Sequence, residues 1–385
     1  MDLCRPSLTN LQVVRAFAAL AVVFYHTAYV IKGHTHTELQ GVAIFFALSG
    51  FLMSYLTRTA VSARDFFERR VVRIVPLYWL ITLFSVLWFN YGLGNPVYQW
   101  PLLWQWIFHE PKQLVQWLIS NHGLNDIDLW RRLVKSLLFI PYQNDAGDFH
   151  PLLGVGWTLN LEMFFYLVFS VSLLFGRRFA PIVAATFILG VKVIDNKLGG
   201  ANPIAHFYAH EYTWNFVYGI LSYYFWRVLP ASMEKMKPVV QLVAFVFVVF
   251  FVWINFAPHE RRLLVNDYIP VQWAFMLMPA LLVFLAVALH SAGAKASSRI
   301  AILLGDASYA IYLSHTIVIG TLYPVGERWA WLNASKSTIG VLFAALLSAL
   351  IGILVYLYVE KPMLHWIKER INRRRANVET TTLPA

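Results

Sequence analysis

The sequence predicts an all-α integral membrane protein, a bundle of about ten transmembrane helices, and three observations carry that expectation. Apolar residues make up 59% of the 385 and charged residues 13%, where a soluble globular chain carries roughly 25% charge. That leaves too little polar surface to cover a water-soluble particle of this size. The mean hydropathy is +0.57. Apolar stretches of about 20 residues, the length that crosses a hydrocarbon core, recur along the whole chain and leave no room for a large soluble domain.

On that length rule, spans are expected near 8–31, 39–57, 71–89, 152–175, 179–195, 208–229, 238–257, 268–290, 301–323 and 338–359. The first is too long for the apolar part of a secretory signal and carries Arg15, so it is expected to be a retained span. With the N-terminus inside and ten crossings, 19 of the 31 Lys and Arg residues fall on inside connections and 11 on outside ones. This predicts both termini in the cytoplasm of a bacterial inner membrane. The longest connection, 90–150, holds Trp100, Trp104, Trp106, Trp117 and Trp130; it reads as a lid or interfacial helices on the outer face, or as ordinary interface anchoring. Residues 1–370 form one transmembrane domain, and 371–385 a basic, then polar cytoplasmic tail expected to be disordered.

Several function classes fall away. The net charge of +11 sits at the ends of apolar segments, where Lys and Arg act as topology signals and headgroup anchors, so nucleic acid is not an expected partner. Cys4 is the single cysteine, which excludes an intrachain disulfide and a cysteine metal cluster. It has no nearby His to activate it as a nucleophile. His34 and His36 form an H-x-H pair without an evident third ligand, and no metal is expected.

Ionisable groups inside spans cost several kcal/mol on insertion scales and mark functional sites by default. Arg15 and His26 are 11 residues apart, about 1100° of helical turn, so they project from one face about 16 Å apart along the axis. Arg70 and Arg73 share a face three residues apart; they read as a positive-inside anchor or as a guanidinium fork for phosphate. Glu162 is the one carboxylate of a strongly apolar helix and could pair with an Arg, orient His26 or bind a substrate hydroxyl. His315 is again within a span, with Tyr312 on the preceding turn. Asp306 and Ser308 read as helix caps.

In this order the same segments resemble the acyltransferase-3 family of bacterial membrane acyltransferases, over about residues 8–365. The resemblance runs through Asn10–Thr27, Gly41–Tyr55, Phe66–Trp79, Gly154–Tyr166, Phe216–Gly219 and Leu304–His315, and ends at Val359-Glu360-Lys361-Pro362. Arg15 and His26 match the family's Arg, ten residues, His; Arg70 and Arg73 its Arg-x-x-Arg. Trp157, Leu159, Glu162, Phe165 and Tyr166 match a Trp-Ser-Leu-x-x-Glu-x-x-Phe-Tyr pattern, with Thr158 in place of Ser. Ser308, Tyr309, Tyr312, Leu313 and His315 match its Ser-Tyr-x-x-Tyr-Leu-x-His segment. The chain departs at Ala43, where members often carry Asp.

The resemblance implies transfer of an acyl group, acetyl above all, from acyl-CoA to a hydroxyl of a cell-surface or exopolysaccharide sugar. His26 is then the expected general base, or the carrier of a covalent acyl group. Arg15 would stabilise charge at the thioester, Glu162 and His315 would orient His26 or the acceptor, and Arg70 and Arg73 would hold the CoA phosphates. Acetyl-CoA is expected as the donor, with no tightly bound cofactor. The expected partners are a carbohydrate acceptor, the lipid bilayer and proteins of polysaccharide assembly. Larger relatives add a C-terminal hydrolase-like domain, so transfer here is expected to be completed by the membrane domain or a separate partner. The rival class is a transporter of lipid-linked sugars, which the buried Arg, Glu and His would suit equally. Transporters often show internal repeats and helices broken at matching positions, and the sequence shows neither. A donor of succinyl rather than acetyl is a second enzymatic reading. A non-catalytic role in polysaccharide export would leave the Arg15–His26 pairing without a purpose.

Overall fold

Among the described residues each apolar segment of the sequence is helical, the form in which a backbone placed in lipid satisfies its polar groups within its own segment. The computed structural model describes residues 8–32, 40–59, 62–90, 94–120, 126–230, 232–256, 271–329 and 337–381. Cys4, His34 and His36 lie outside the described residues. In chain order the helices are α1 (Thr9–Lys32), α2 (Gly41–Leu56), α3 (Ala63–Asn90), α4 (Gln99–Phe108), α5 (Pro111–Ser120), α6 (Ile127–Leu137), α7 (Gly156–Ser172), α8 (Ala180–Lys197), α9 (Pro203–Tyr208), α10 (Thr213–Arg227), α11 (Lys237–Phe256), α12 (Val271–Ser291), α13 (Arg299–Asp306), α14 (Ser308–Arg328), α15 (Thr338–Val355) and α16 (Lys361–Thr381). No strand occurs among the described residues.

Length and composition give a smaller number of spans than the sequence rule. Among the described residues, four helical stretches are long and apolar enough to cross a membrane: Ala63–Phe89, Gly156–Phe175, Met233–Asn255 and Thr338–Arg373. A fifth is the pair α13 and α14, if these count as one span bent by 70°. Part of the shortfall has a physical cause in α2 and α10, whose 16 and 15 residues rise only about 24 Å against a hydrocarbon core of roughly 30 Å. The exposed apolar surface of α11, with Leu242, Phe245 and Val246 all outward, is what a lipid-facing helix carries.

α1 is the hub. It packs on α2, α12, α13, α14 and α15, which is why Ala18, Ala19 and Val23 along it are fully buried. Its start is tied down by Asn10, whose amide donates to the Ala286 and Ala294 carbonyls while its oxygen accepts from the Ala296 amide. α2 and α10 approach closely where both are Gly. A Cβ on Gly219 would sit 2.1 Å from the Ala47 oxygen, and one on Gly50 2.1 Å from the Phe216 oxygen. Small residues at such crossings let backbones meet.

Two expectations are corrected here. The bend at Ala307 divides the ninth segment, and the cap residue of α14 is Ala307, without a side-chain cap. Asp306 therefore ends α13 rather than capping α14, and the Ser308 hydroxyl is buried without a partner. The segment expected as a disordered tail is helical as far as Thr381; residues 382–385 lie outside the described ones. Arg70 and Arg73 sit within α3, which begins at Ala63. The Trp-rich connection contains α4, α5 and α6, with Trp100, Trp104 and Trp130 exposed. Asp126 caps α6 by accepting from the Leu129 amide. Outside the spans, hydrogen bonding and charge from Arg132 hold the Asp145 carboxyl below its usual range.

Candidate active site

Two cavities meet inside the bundle. The first is narrow, about 100 Å³, and is lined by Arg15 of α1, Arg70 and Arg73 of α3, Glu162 and Tyr166 of α7, Ser49 of α2, and Ser308, Tyr309 and Tyr312 of α14. The second, about 360 Å³, is lined by His26, Gln40, Val42, His150, Trp157, Tyr212 and Tyr312. Val42 and Tyr312 line both. Tyr312 is a fixed partition: its hydroxyl lies 2.6 Å from Thr158 Oγ1 and donates to the Val155 carbonyl at 3.1 Å.

The narrow cavity gathers charge. Glu162 Oε1 accepts from Ser49 Oγ at 2.9 Å and from the Tyr166 hydroxyl. The Arg70 guanidinium lies over the rings of Phe66 and Tyr166, 5.8 and 5.7 Å from their centroids. Tyr309 donates to the Ile74 carbonyl at 2.8 Å, fastening α14 to the helix that carries both arginines. Arg70 Nε and Arg73 Nη2 are buried without a hydrogen-bond partner. Buried donors are nearly always satisfied, so this orphan pair beside a cavity has hydrogen-bonding capacity to offer a group that enters it.

The larger cavity is lined by His26 and His150, and fully buried His315 stands behind His26. His315 Nδ1 lies 2.7 Å from the Tyr312 carbonyl; a carbonyl only accepts, so Nδ1 carries the proton and neutral His315 presents a bare Nε2. That Nε2 lies 3.2 Å from His26 Nδ1, which also lies 3.0 Å from the Val22 carbonyl. Two acceptors around Nδ1 place the His26 proton on that atom. His26 Nε2 is left with its lone pair free, the form of imidazole that takes a proton. Across the same cavity an aromatic wall stands on Trp157, whose ring lies 5.9 Å from Tyr212 in a stacked arrangement and 5.1 Å from His210.

The six residues singled out in the sequence thus fall into two groups. Arg15, Arg70, Arg73 and Glu162 share the narrow cavity, and His26 lines the other with His315 paired behind it. Of the options open for Glu162, the structure places it with the arginines; the partners of His26 are Val22 and His315. Sequence reasoning passed over Glu360, which ends a π-helical turn (Tyr356–Glu360) after α15. It is fully buried with both carboxylate oxygens unpartnered, and near enough to Arg73 and Arg15 to interact with both electrostatically. Its signal was the Val-Glu-Lys-Pro segment, to which no role was attached. His150 and the Trp157–Tyr212 stack were also missed, since their meeting depends on connections between helices.

Guanidiniums lining one cavity and a histidine pair beside the next are an arrangement suited to group transfer within a membrane protein. The chain matches the Acyltransferase domain family over residues 8–358 and belongs to it; it is an O-acyltransferase. It is similar to the exopolysaccharide production protein ExoZ of Rhizobium meliloti (strain 1021), with 28% identity over 348 residues, covering 89% of this chain and 94% of the relative. It is also similar to nodulation protein 10 of Rhizobium leguminosarum bv. viciae, with 28% identity over 364 residues, 89% of this chain and 91% of the relative. No solved structure matches the chain.

Proposed function

We propose that this acyltransferase moves an acyl group, acetyl above all, from acyl-CoA to a sugar hydroxyl of a cell-surface or exopolysaccharide glycan. The observation that carries the reading is the junction of the two cavities at Tyr312 and Val42, with the arginines on one side and the free His26 nitrogen on the other. The name of the relative involved in exopolysaccharide production supports a glycan acceptor. So does the Trp157–Tyr212 wall, because aromatic faces suit the apolar face of a sugar ring.

The donor's anionic part is held by Arg70 and Arg73, its arm passes Arg15, and its thioester reaches the junction at Tyr312. His26 Nε2 accepts the proton of the sugar hydroxyl as its oxygen attacks the thioester carbonyl. A tetrahedral oxyanion forms there; Arg15, about 16 Å from His26 along α1, guides the donor's arm. Collapse breaks the carbon–sulfur bond, the sugar ester remains, and the departing thiolate takes the proton back from His26. His315 Nε2, accepting from His26 Nδ1–H, stabilises the imidazolium while it exists, a role that resembles that of the aspartate in a hydrolase triad.

In this reading about ten helices cross the bilayer of the inner membrane, α2 and α10 within a locally thinned or protein-lined section. Residues 1–370 form the transferase domain, and both termini are cytoplasmic. The donor enters from the cytoplasmic face, where Arg58 follows the end of α2 at Leu56, and the acceptor from the face of His26. The test is the purified protein in nanodiscs with radiolabelled acetyl-CoA and the host glycan, wild type beside His26→Ala, with succinyl-CoA in parallel. Label in glycan for the wild type only is the expected result. A folded wild type that consumes no acyl-CoA would overturn the reading in favour of transport.

A further inference from the structure

α2 lines a third cavity that the chemistry above does not use. Its first residues, Gln40 to Val42, line the histidine cavity; Val42 to Met53 line the narrow one; Thr57 and Arg58 line a basin of about 1030 Å³. Met53 and Thr57 are one helical turn apart, about 6 Å, so the basin lies directly beyond the narrow cavity along the same helix.

The basin is built for a multiply charged anion with an aromatic part. Four guanidinium side chains line it: Arg58, Arg177, Arg178 and Arg227. Its lining holds no Asp or Glu, and no ion pair engages these four among the described residues. Two are set in place by rings. The Arg58 guanidinium lies 5.4 Å from the Tyr55 centroid and 5.2 Å from that of Trp226, and Arg227 lies 5.8 Å from Tyr223. Trp226 is itself fixed, its indole donating to Ser291 Oγ at 3.0 Å. Phe175, Phe179 and Tyr224 complete the aromatic lining. Arginine forks bind phosphate, and rings beside them stack on a base.

We propose that this basin binds the phosphorylated nucleotide end of the acyl donor; the inference rests on the acyl-CoA reading above. The narrow cavity, about 100 Å³, admits only a thin arm, and a nucleotide needs a pocket of several hundred Å³. The donor therefore lies along α2, with its base and ribose phosphate in the basin, its diphosphate at Arg70 and Arg73, and its arm running on to the acyl end at Tyr312. An anionic lipid headgroup offers the same phosphate chemistry, and the experiment separates the two.

The probe is adenosine 3′,5′-bisphosphate, titrated into the full-length protein in nanodiscs of pure phosphatidylcholine, for wild type, Arg58→Gln and the double variant Arg177→Gln/Arg178→Gln. Turnover of acetyl-CoA is compared with that of S-acetyl-pantetheine, which lacks the nucleotide. The expected results are bisphosphate binding in the wild type, weakened about tenfold or more in both variants, and a fall of similar size in the preference for acetyl-CoA over the truncated donor. Unchanged binding and unchanged preference in folded variants overturn the proposal. So does a loss of co-purifying anionic lipid in the variants with no bisphosphate binding in any protein, which would assign the basin to headgroups. Bisphosphate binding lost in the variants, beside a wild type inert toward every acyl-CoA, would retain the basin as a nucleotide site and discard the donor reading instead.

Discussion

His315 acts through His26, and replacing it with Leu measures by how much. Leu fills the buried site but removes the Nε2 acceptor that stands 3.2 Å from His26 Nδ1. The Val22 carbonyl at 3.0 Å still holds the proton on Nδ1, so the tautomer survives and only one partner of the transient imidazolium is lost. A hydrogen bond to a charged group contributes about 1.5–3 kcal/mol, and each 1.36 kcal/mol is tenfold in rate. His315→Leu should therefore lower kcat roughly 10- to 150-fold. His26→Ala removes the base itself and should cost about 10²–10⁴-fold. The assay is label transfer from acetyl-CoA under saturating donor, with Tm followed for each variant to confirm folding. His315→Gln, whose side-chain oxygen can accept in place of Nε2, should recover part of the loss. Because the effect passes through His26, the double variant should be no slower than His26→Ala alone. Losses that multiply in the double variant would refute the reasoning and give His315 an independent task.

Three further outcomes follow from the packing. Gly219→Val should destabilise the detergent-solubilised protein by about 1–3 kcal/mol, because its Cβ would press to 2.1 Å from the Ala47 oxygen; a Tm equal to wild type would show that α2 and α10 are not in contact there. Arg70→Lys keeps the charge but loses the planar fork, so KM for acyl-CoA should rise about tenfold with a smaller change in kcat; the reverse split would place Arg70 in the chemical step. Glu162→Leu leaves the Ser49 and Tyr166 hydroxyls without their acceptor, which should cost about 1–3 kcal/mol each if neither finds a new one. Glu162→Gln preserves a carbonyl oxygen for both and should melt near wild type, so equal melting of Leu and Gln variants would remove that hydrogen-bond account.

Much of this site could be read from the sequence, because the relevant signals are local. Arg15 and His26 stood out as polar groups within an apolar helix, and the helical repeat alone put them on one face. Arg70, Arg73, Glu162 and His315 stood out for the same reason, since lipid makes an ionisable residue conspicuous wherever it occurs. The helical nature of all ten apolar segments was likewise forced by the medium. The number of spans was not, because the apolar length rule treats each segment alone, while α2 and α10 are short helices supported by each other and by their neighbours.

What the tertiary structure decided is which of these residues meet. His26 and His315 are 289 residues apart in the chain, and no periodicity within α1 or α14 specifies their contact. The contact follows from α14 packing on α1 after the bend at Ala307. The same packing separates the arginines from the histidines by a tyrosine, buries Glu360 without a partner at the end of a π turn, and arranges three cavities along α2. A helical sequence fixes the face and depth of a side chain on its own axis; how the axes are placed against one another depends on side-chain volumes and close backbone approaches, such as Gly50 and Gly219, summed over the whole bundle.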